Sequence, residues 1–551
     1  MRQRAAHADA SFRLPVKPIG WHLESRQRHA TGITVVVAVG VLLGTVAMGG
    51  AQGLLIWIGL MAAGFIFAFP RAAVLLLLIM MPLDVHVPSG FVLDAALDPA
   101  RLLVVASVLM RARWRREVRI SKGVTLLAVA YVLAVCASLI YAQITPALGV
   151  PYESVRYLYK LVTYVAFGYV AVIVIRESGL LRLAFWALLF GLIATDVYAI
   201  YQMAIGDFGI IFRLEYPLSI NQPWIGRPTG LLSHPNNLAG YINLLLPIVA
   251  AVGIYVREFR VRAAAIGAIC LSVAALFLTQ SRGAWVAALL ILSVLVFRVA
   301  SKGLRVPLGI LMALSAFALA FVVPATSARI QDASVSLNSR LEIWNVFKTM
   351  FLSSPVFGVG FGSYGVRFSA ASSLFFDPNG PPIHAHDLYL QTLAETGVMG
   401  CLALLALLIA ATRGSWALQR IARNRGLPLV AGFYLGLSLS IVGLLIHGLV
   451  DVLPESSPQF AALMWILVLL SAGTQIRPER VAISFADADV REPTEEGKAV
   501  GVLTPGWLPG FDRKGNQMKC SLWRRVTSAQ FRDERPGFWE SSTRAALVVR
   551  C

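Results

Sequence analysis

His384, His386, Asp387, Gln391 and Glu395 stand within one short stretch, directly before the apolar run Val398 to Ala411. Imidazoles and carboxylates exchange protons near neutral pH, so such a stretch suits general acid or base work. A helix starting near His386 puts Asp387, Gln391 and Glu395 at i, i+4 and i+8, on one face. At 1.5 Å per residue that stripe reaches roughly 12 Å along the axis and carries a carboxylate toward hydrocarbon. Ionisable groups at that depth are expensive and mark functional sites or polar cavities. The plainer alternative is an interfacial histidine at a helix start.

The elements that must position these residues are membrane helices. The chain is 57% hydrophobic and 14% charged with a mean hydropathy of +0.71, too apolar for a soluble protein of 551 residues. Apolar stretches of spanning length fall at 33–50, 53–69, 71–85, 99–112, 123–143, 154–176, 179–203, 237–256, 261–279, 281–300, 304–325, 388–412, 429–451 and 458–475. The expected fold is an all-α polytopic membrane protein of about 12–14 transmembrane helices. Residues 1–32 are expected to form a basic cytoplasmic arm, 33–475 the membrane domain, and 476–551, of mixed charge, Pro and Gly without a sustained period, a disordered cytoplasmic tail.

Lys and Arg stay on the cytoplasmic side of short loops. The clusters Arg111 to Lys122, Arg257 to Arg262, Arg298 to Arg305 and Arg413 to Arg425 fall on one side if every span crosses once, with both termini. The net charge of +19 is then a topology signal and not a nucleic-acid footprint. Of the five cysteines, Cys136, Cys270 and Cys401 sit in expected helices and Cys520 and Cys551 in the tail, so no pair suggests a disulfide.

Two long segments remain outside, 204–236 and 326–387. The second holds Leu341, Trp344, Phe347, Met350 and Phe351 at helical spacing, an amphipathic helix lying on the outer surface or capping a cavity. Gly358, Gly360 and Gly362 follow as a turn, without the strand-turn-helix context of a nucleotide loop. Arginines outside run against the inside bias. Arg282, in a tight turn between two spans, and Arg340 could hold a phosphate bidentately. Arg227 and His234 add polar groups at the same mouth, ahead of a helix start at Pro235 and Asn236. His447 and Asp451, an i, i+4 pair at the outer end of 429–451, either wall the cavity or cap the helix in water. The spacing of His384, His386 and Asp387 does not converge on one helical face, and no metal is expected.

Four segments, Gly226 to Gly240, Thr279 to Trp285, Arg340 to Tyr364 and His384 to Gly400, together resemble the O-antigen ligase and polymerase superfamily of bacterial membrane glycosyltransferases, with the likeness running over about residues 33–475. The resemblance implies a metal-independent, cofactor-free glycosyltransferase at the periplasmic face of the inner membrane. Its donor would be a glycan on undecaprenyl diphosphate, its acceptor lipid A core or a second lipid-linked glycan, with protein glycosylation a further variant. The catalytic role falls on His386 and diphosphate binding on Arg282 and Arg340. Support comes from Arg227, His234, His384, Asp387, Gln391, Glu395, His447 and Asp451. Where the family usually reads His-Asn, this chain has His386-Asp387, an extra carboxylate that could act on His386 or repel the donor's phosphates. The rival class is a lipid-linked glycan transporter or flippase, which would place ionisable groups near the midplane or carry internal repeats.

Overall fold

The computed structural model describes residues 51–83, 93–111, 121–206 with 147 and 178 excepted, 226–299, a few positions between 303 and 310, 333–371, 384–472, 508–511 and 517–520. The span expected at 33–50 and most of 304–325 lie outside the described residues.

The chain is an all-α polytopic membrane protein. Its helices in order are α1 Ala51–Ala68, α2 Pro70–Ile79, α3 Leu93–Met110, α4 Lys122–Ile144, α5 Tyr152–Glu177, α6 Leu181–Ile205, α7 Pro235–Tyr255, α8 Phe259–Leu278 and α9 Arg282–Val299. After them come α10 Ala333–Ser353, α11 Tyr364–Ala371, α12 Leu388–Asn424, α13 Pro428–His447, α14 Leu453–Ser456 and α15 Pro458–Leu470. Among the described residues seven helices are long and apolar enough to cross a membrane, or up to eight if the bent pair α1 and α2 forms one span. That pair departs from expectation. The stretches 53–69 and 71–85, read as two separate crossings, are bent by 116° at a break of the kind found in a broken span or a re-entrant loop. Pro70 at the first position of α2 supplies the reason, because proline lacks the N–H that would continue α1.

The centre of the bundle is the crossing of α7 and α13, both almost wholly buried. A Cβ on Gly436 would lie 2.3 Å from Ile248 Cα, and one on Gly432 2.8 Å from Val252 Cα. Small residues at such a crossing let backbones meet, which is how helices associate where the solvent is itself apolar. Around them, Leu126, Leu133 and Ile140 of α4, Phe190 of α6 and Ile266 and Val273 of α8 stay exposed as a lipid-facing belt.

Polar groups sort to the bundle's ends. At one, Arg176 donates to Tyr434 Oη and Leu470 O, Ser121 N donates to Ala472 O, and Arg182 pairs with Glu258 at 2.6 Å. At the other, Leu388 N donates to Gly448 O at 2.7 Å and Arg227 reaches Thr279 O. Two buried ionisable clusters within helices escaped the sequence reading. Arg101 is bound by Asp98 and Gln459, and Asp196 of α6 accepts from Ser272 Oγ. In a separate unit, Phe485–Cys551, strands β1 Leu508–Phe511 and β2 Gln517–Cys520 pair antiparallel.

Substituting Gly436 by Val must push α13 off α7. Overpacking of this kind costs about 1–3 kcal/mol. Thermal unfolding in detergent should show a clear fall in Tm for Gly436→Val and none for Gly59→Ala, whose added Cβ meets nothing within 4 Å.

Candidate active site

Helix α12 begins one turn-forming residue later than the polar stripe suggested. Asp387 is its N-cap, with Oδ1 accepting from Tyr389 N at 2.8 Å and Leu390 N at 2.9 Å. Asn and Asp serve equally well at that position. The departure from the family's His-Asn is thereby accommodated: the carboxylate is engaged with the helix N-terminus. The other two members of the stripe are also tied to protein. Gln391 Oε1 accepts from Ala385 N at 3.2 Å. Glu395, 1% exposed, accepts from Tyr364 N at 3.0 Å, while its carbonyl takes Gly360 N and Ser138 Oγ. Glu395 therefore pins the glycine turn instead of facing the site.

That turn is tight. Gly358, Gly360 and Gly362 all have positive φ, and a Cβ on Gly358 would lie 2.3 Å from the Glu395 carbonyl carbon. It seats α10 and α11, whose Phe347 and Tyr364 rings stack 3.9 Å apart. The buried face of α10 is Ile343, Phe347 and Met350, whereas Leu341, counted in the expected stripe, is 47% exposed. Trp344 Nε1 donates to Ala385 O at 3.0 Å. Arg340 lies one turn before Trp344 on the same side of α10, which brings its helix to the histidine loop.

Ala385 is thus held at both backbone groups, by Gln391 and by Trp344. The following residue, His386, adopts φ +52°, a left-handed conformation that costs a non-glycine residue of order 1–3 kcal/mol. Such strain persists only where the surroundings over-determine it, and the Leu388 N to Gly448 O bond completes the clamp. The imidazole Nδ1 lies 3.8 Å from Asp451 Oδ1, with the His386 side chain 37% exposed and that of Asp451 10%. Nδ1 itself is buried and makes no hydrogen bond, so the exposed part of the side chain is the rest of the ring.

Asp451 does not continue the helix of His447. Helix α13 ends at His447, the chain turns, and Asp451 N donates to His447 O at 3.1 Å. Burial alone would raise the Asp451 carboxyl, yet the imidazoles of His386, His447 and His234 outweigh it and hold the group well below the usual carboxylate range. His234 caps α7, its Nδ1 accepting from Asn236 N at 3.1 Å, which requires the neutral ring. Desolvation pushes His234 and His384 down to about 4. Arg282 opens α9 beside the same turn: a Cβ on Gly283 would sit 2.3 Å from Val450 Cγ2 and 3.9 Å from His447 Cδ2. Arg227 spends its guanidinium on the protein, donating to Thr279 O and Asn236 Oδ1. Among the described residues, no group of three or more His, Cys, Asp or Glu is arranged to hold a metal ion.

The geometry collects residues from five separate segments, with His386 and Asp451, 3.8 Å apart, at their centre. Residues 267–405 match the family model described as O-antigen ligase. Over that stretch the chain is similar to the O-antigen ligase family. No curated protein matches it. The matched O-antigen ligase segment contains Arg282, Arg340, His384, His386, Asp387, Gln391 and Glu395, whereas Arg227, His234, His447 and Asp451 lie outside it. Sequence reading paired Asp451 with His447 as an i, i+4 couple and missed its approach to His386. The only available signal was that both segments end on the same side of the membrane.

Two outcomes follow. Asp387→Asn should leave stability unchanged and Asp387→Ala should lose roughly 1 kcal/mol, read from chemical or thermal unfolding. For His234 and His384, the unfolded chain takes up protons near the ordinary 6.5 but the folded protein only near 4. Between those values the unfolded state binds more protons, so stability falls as pH drops from 6.5 toward 4 and is flat above. Asp451 adds its own loss only below the ordinary carboxylate range. Melting curves across this window should show the fall, with a shallower slope in His384→Gln.

Proposed function

We propose that the protein transfers a glycan from polyprenyl diphosphate to an acceptor hydroxyl at the periplasmic face of the bacterial inner membrane. The observation that carries this reading is the clamped His386, its buried Nδ1 3.8 Å from Asp451 and its side chain 37% exposed, within the O-antigen ligase segment.

Polyprenyl diphosphate is already a good leaving group, so the site must position the reactants, activate the hydroxyl and offset the departing charge. His386 Nε2 takes the acceptor proton as the acceptor oxygen bonds the anomeric carbon. The bond from that carbon to the phosphate oxygen breaks, its electron pair leaves with the diphosphate, and the configuration inverts. Asp451 holds the ring with Nδ1 protonated and Nε2 free to accept. The 3.8 Å separation is of the kind that shortens when substrate binds. Arg282 and Arg340 receive the diphosphate charge. The step uses no cofactor or metal, and the acceptor is lipid A core, as in a ligase, or a second lipid-linked glycan, as in a polymerase. The basic clusters then face the cytoplasm, with both termini.

The test is reconstitution of the purified full-length protein with an undecaprenyl-diphosphate oligosaccharide and either lipid A core or a second donor, in EDTA. Product with one acceptor names the reaction. His386→Ala should lower the rate by about 10²-fold or more, the usual contribution of a general base. Undiminished product from that variant, or none from wild type with either acceptor, would overturn the reading.

A further inference from the structure

Arg227 and Arg282 both sit at the histidine end of the bundle, but their surroundings differ. The side chain of Arg227 is committed to two protein acceptors. Nε donates to Thr279 O at 2.7 Å and Nη2 to Asn236 Oδ1 at 3.0 Å. Thr279 begins the turn that carries Arg282. That turn is unusual: Gln280 adopts φ +54°, Thr279 Oγ1 accepts from Ser281 N, and Ser281 O accepts from Trp285 N in the first turn of α9. A left-handed glutamine needs outside restraint.

The restraint leads back to α6. Gln202, fully buried, accepts from Thr229 N at 3.0 Å and Gly230 N at 2.9 Å. Thr195, two turns earlier on the same face of α6, accepts from Leu231 N at 2.9 Å. Gly230 has φ +60°, and a Cβ there would lie 2.5 Å from Thr195 Oγ1, so the segment after Arg227 is pressed onto α6. The path runs from Gln202 to Thr229, two residues back along the backbone to Arg227, then to Thr279 O and the turn of Arg282.

We propose that Arg227, anchored through Gln202, is a positioning residue that sets the turn carrying Arg282, and does not itself bind the diphosphate. This rests on the assignment of Arg282 to the donor's diphosphate. A guanidinium can bridge a carbonyl and an amide oxygen in one fixed fork, which an ammonium cannot reproduce. The effect of Arg227 on the diphosphate therefore passes through Arg282.

Binding of undecaprenyl diphosphate to the full-length protein in nanodiscs provides the test, through a double-mutant cycle. Arg282→Gln should weaken binding by about tenfold or more, as for loss of a charged hydrogen bond. Arg227→Lys, which keeps the charge, should weaken it several-fold, and Gln202→Leu likewise. In the Arg282→Gln background neither should cause a further loss beyond about twofold, because both act through the missing group. Losses that multiply, or an Arg227→Lys protein that binds as wild type while Arg282→Gln does not, overturn the positioning role alone. Wild-type binding by Arg282→Gln overturns the diphosphate assignment and the positioning role with it. Gln202→Leu, remote from any ligand, keeps the cycle decisive should Arg227→Lys melt at a lower temperature.

Discussion

A nearly dry carboxylate at the end of an apolar bundle is the constraint on which the site depends. Asp451 is 7% exposed, and a buried charge without partners would cost several kcal/mol. Its Oδ1 accepts from Val452 N at 2.9 Å and lies 3.8 Å from His386 Nδ1, and its electrostatic surroundings include three histidines: His234 ahead of α7, His386 ahead of α12 and His447 at the end of α13. The carboxylate thus lies where three helix ends that are far apart in sequence meet. The Leu388 N to Gly448 O bond and the backbone bond from Asp451 to His447 fix the same meeting point. Positioning of the catalytic candidate and pairing of the buried charge are one arrangement.

The rest of the architecture serves that meeting point. The glycine-mediated crossing packs α13 closely against α7, the helices that end at His447 and begin after His234. Glu395 pins the glycine turn, the turn seats α10, and Trp344 of α10 holds the carbonyl beside His386. Residues that looked like a catalytic stripe are mostly scaffolding for one strained imidazole. Asp387, Gln391 and Glu395 each have backbone partners, leaving His386 as the member with an exposed edge.

Much of this was legible in the chain because hydropathy and charge report directly on helices and on the ends where polar groups collect. Arg282, His386 and the amphipathic α10 were visible from residue type and position. What could not be read were contacts that cross sequence distance. The approach of Asp451 to His386 depends on where α13 stops, and Gly448 ends it four residues before the apolar run does. The spacing of Asp387, Gln391 and Glu395 on one face did not reveal which backbone N–H groups, at the helix start and a neighbouring turn, those side chains accept from. Pro70 marked a break between α1 and α2, but hydropathy windows do not register a bend of 116°.

The most direct measurement is the single-turnover rate of glycan transfer by Asp451→Asn at saturating donor, with donor affinity measured alongside. Loss of a group that acts only as the reaction proceeds lowers the rate and leaves ground-state binding intact. A rate reduced by about tenfold or more with unchanged donor Kd is the expected result. A rate within about twofold of wild type would contradict the claim that the Asp451 carboxylate orients His386 for transfer.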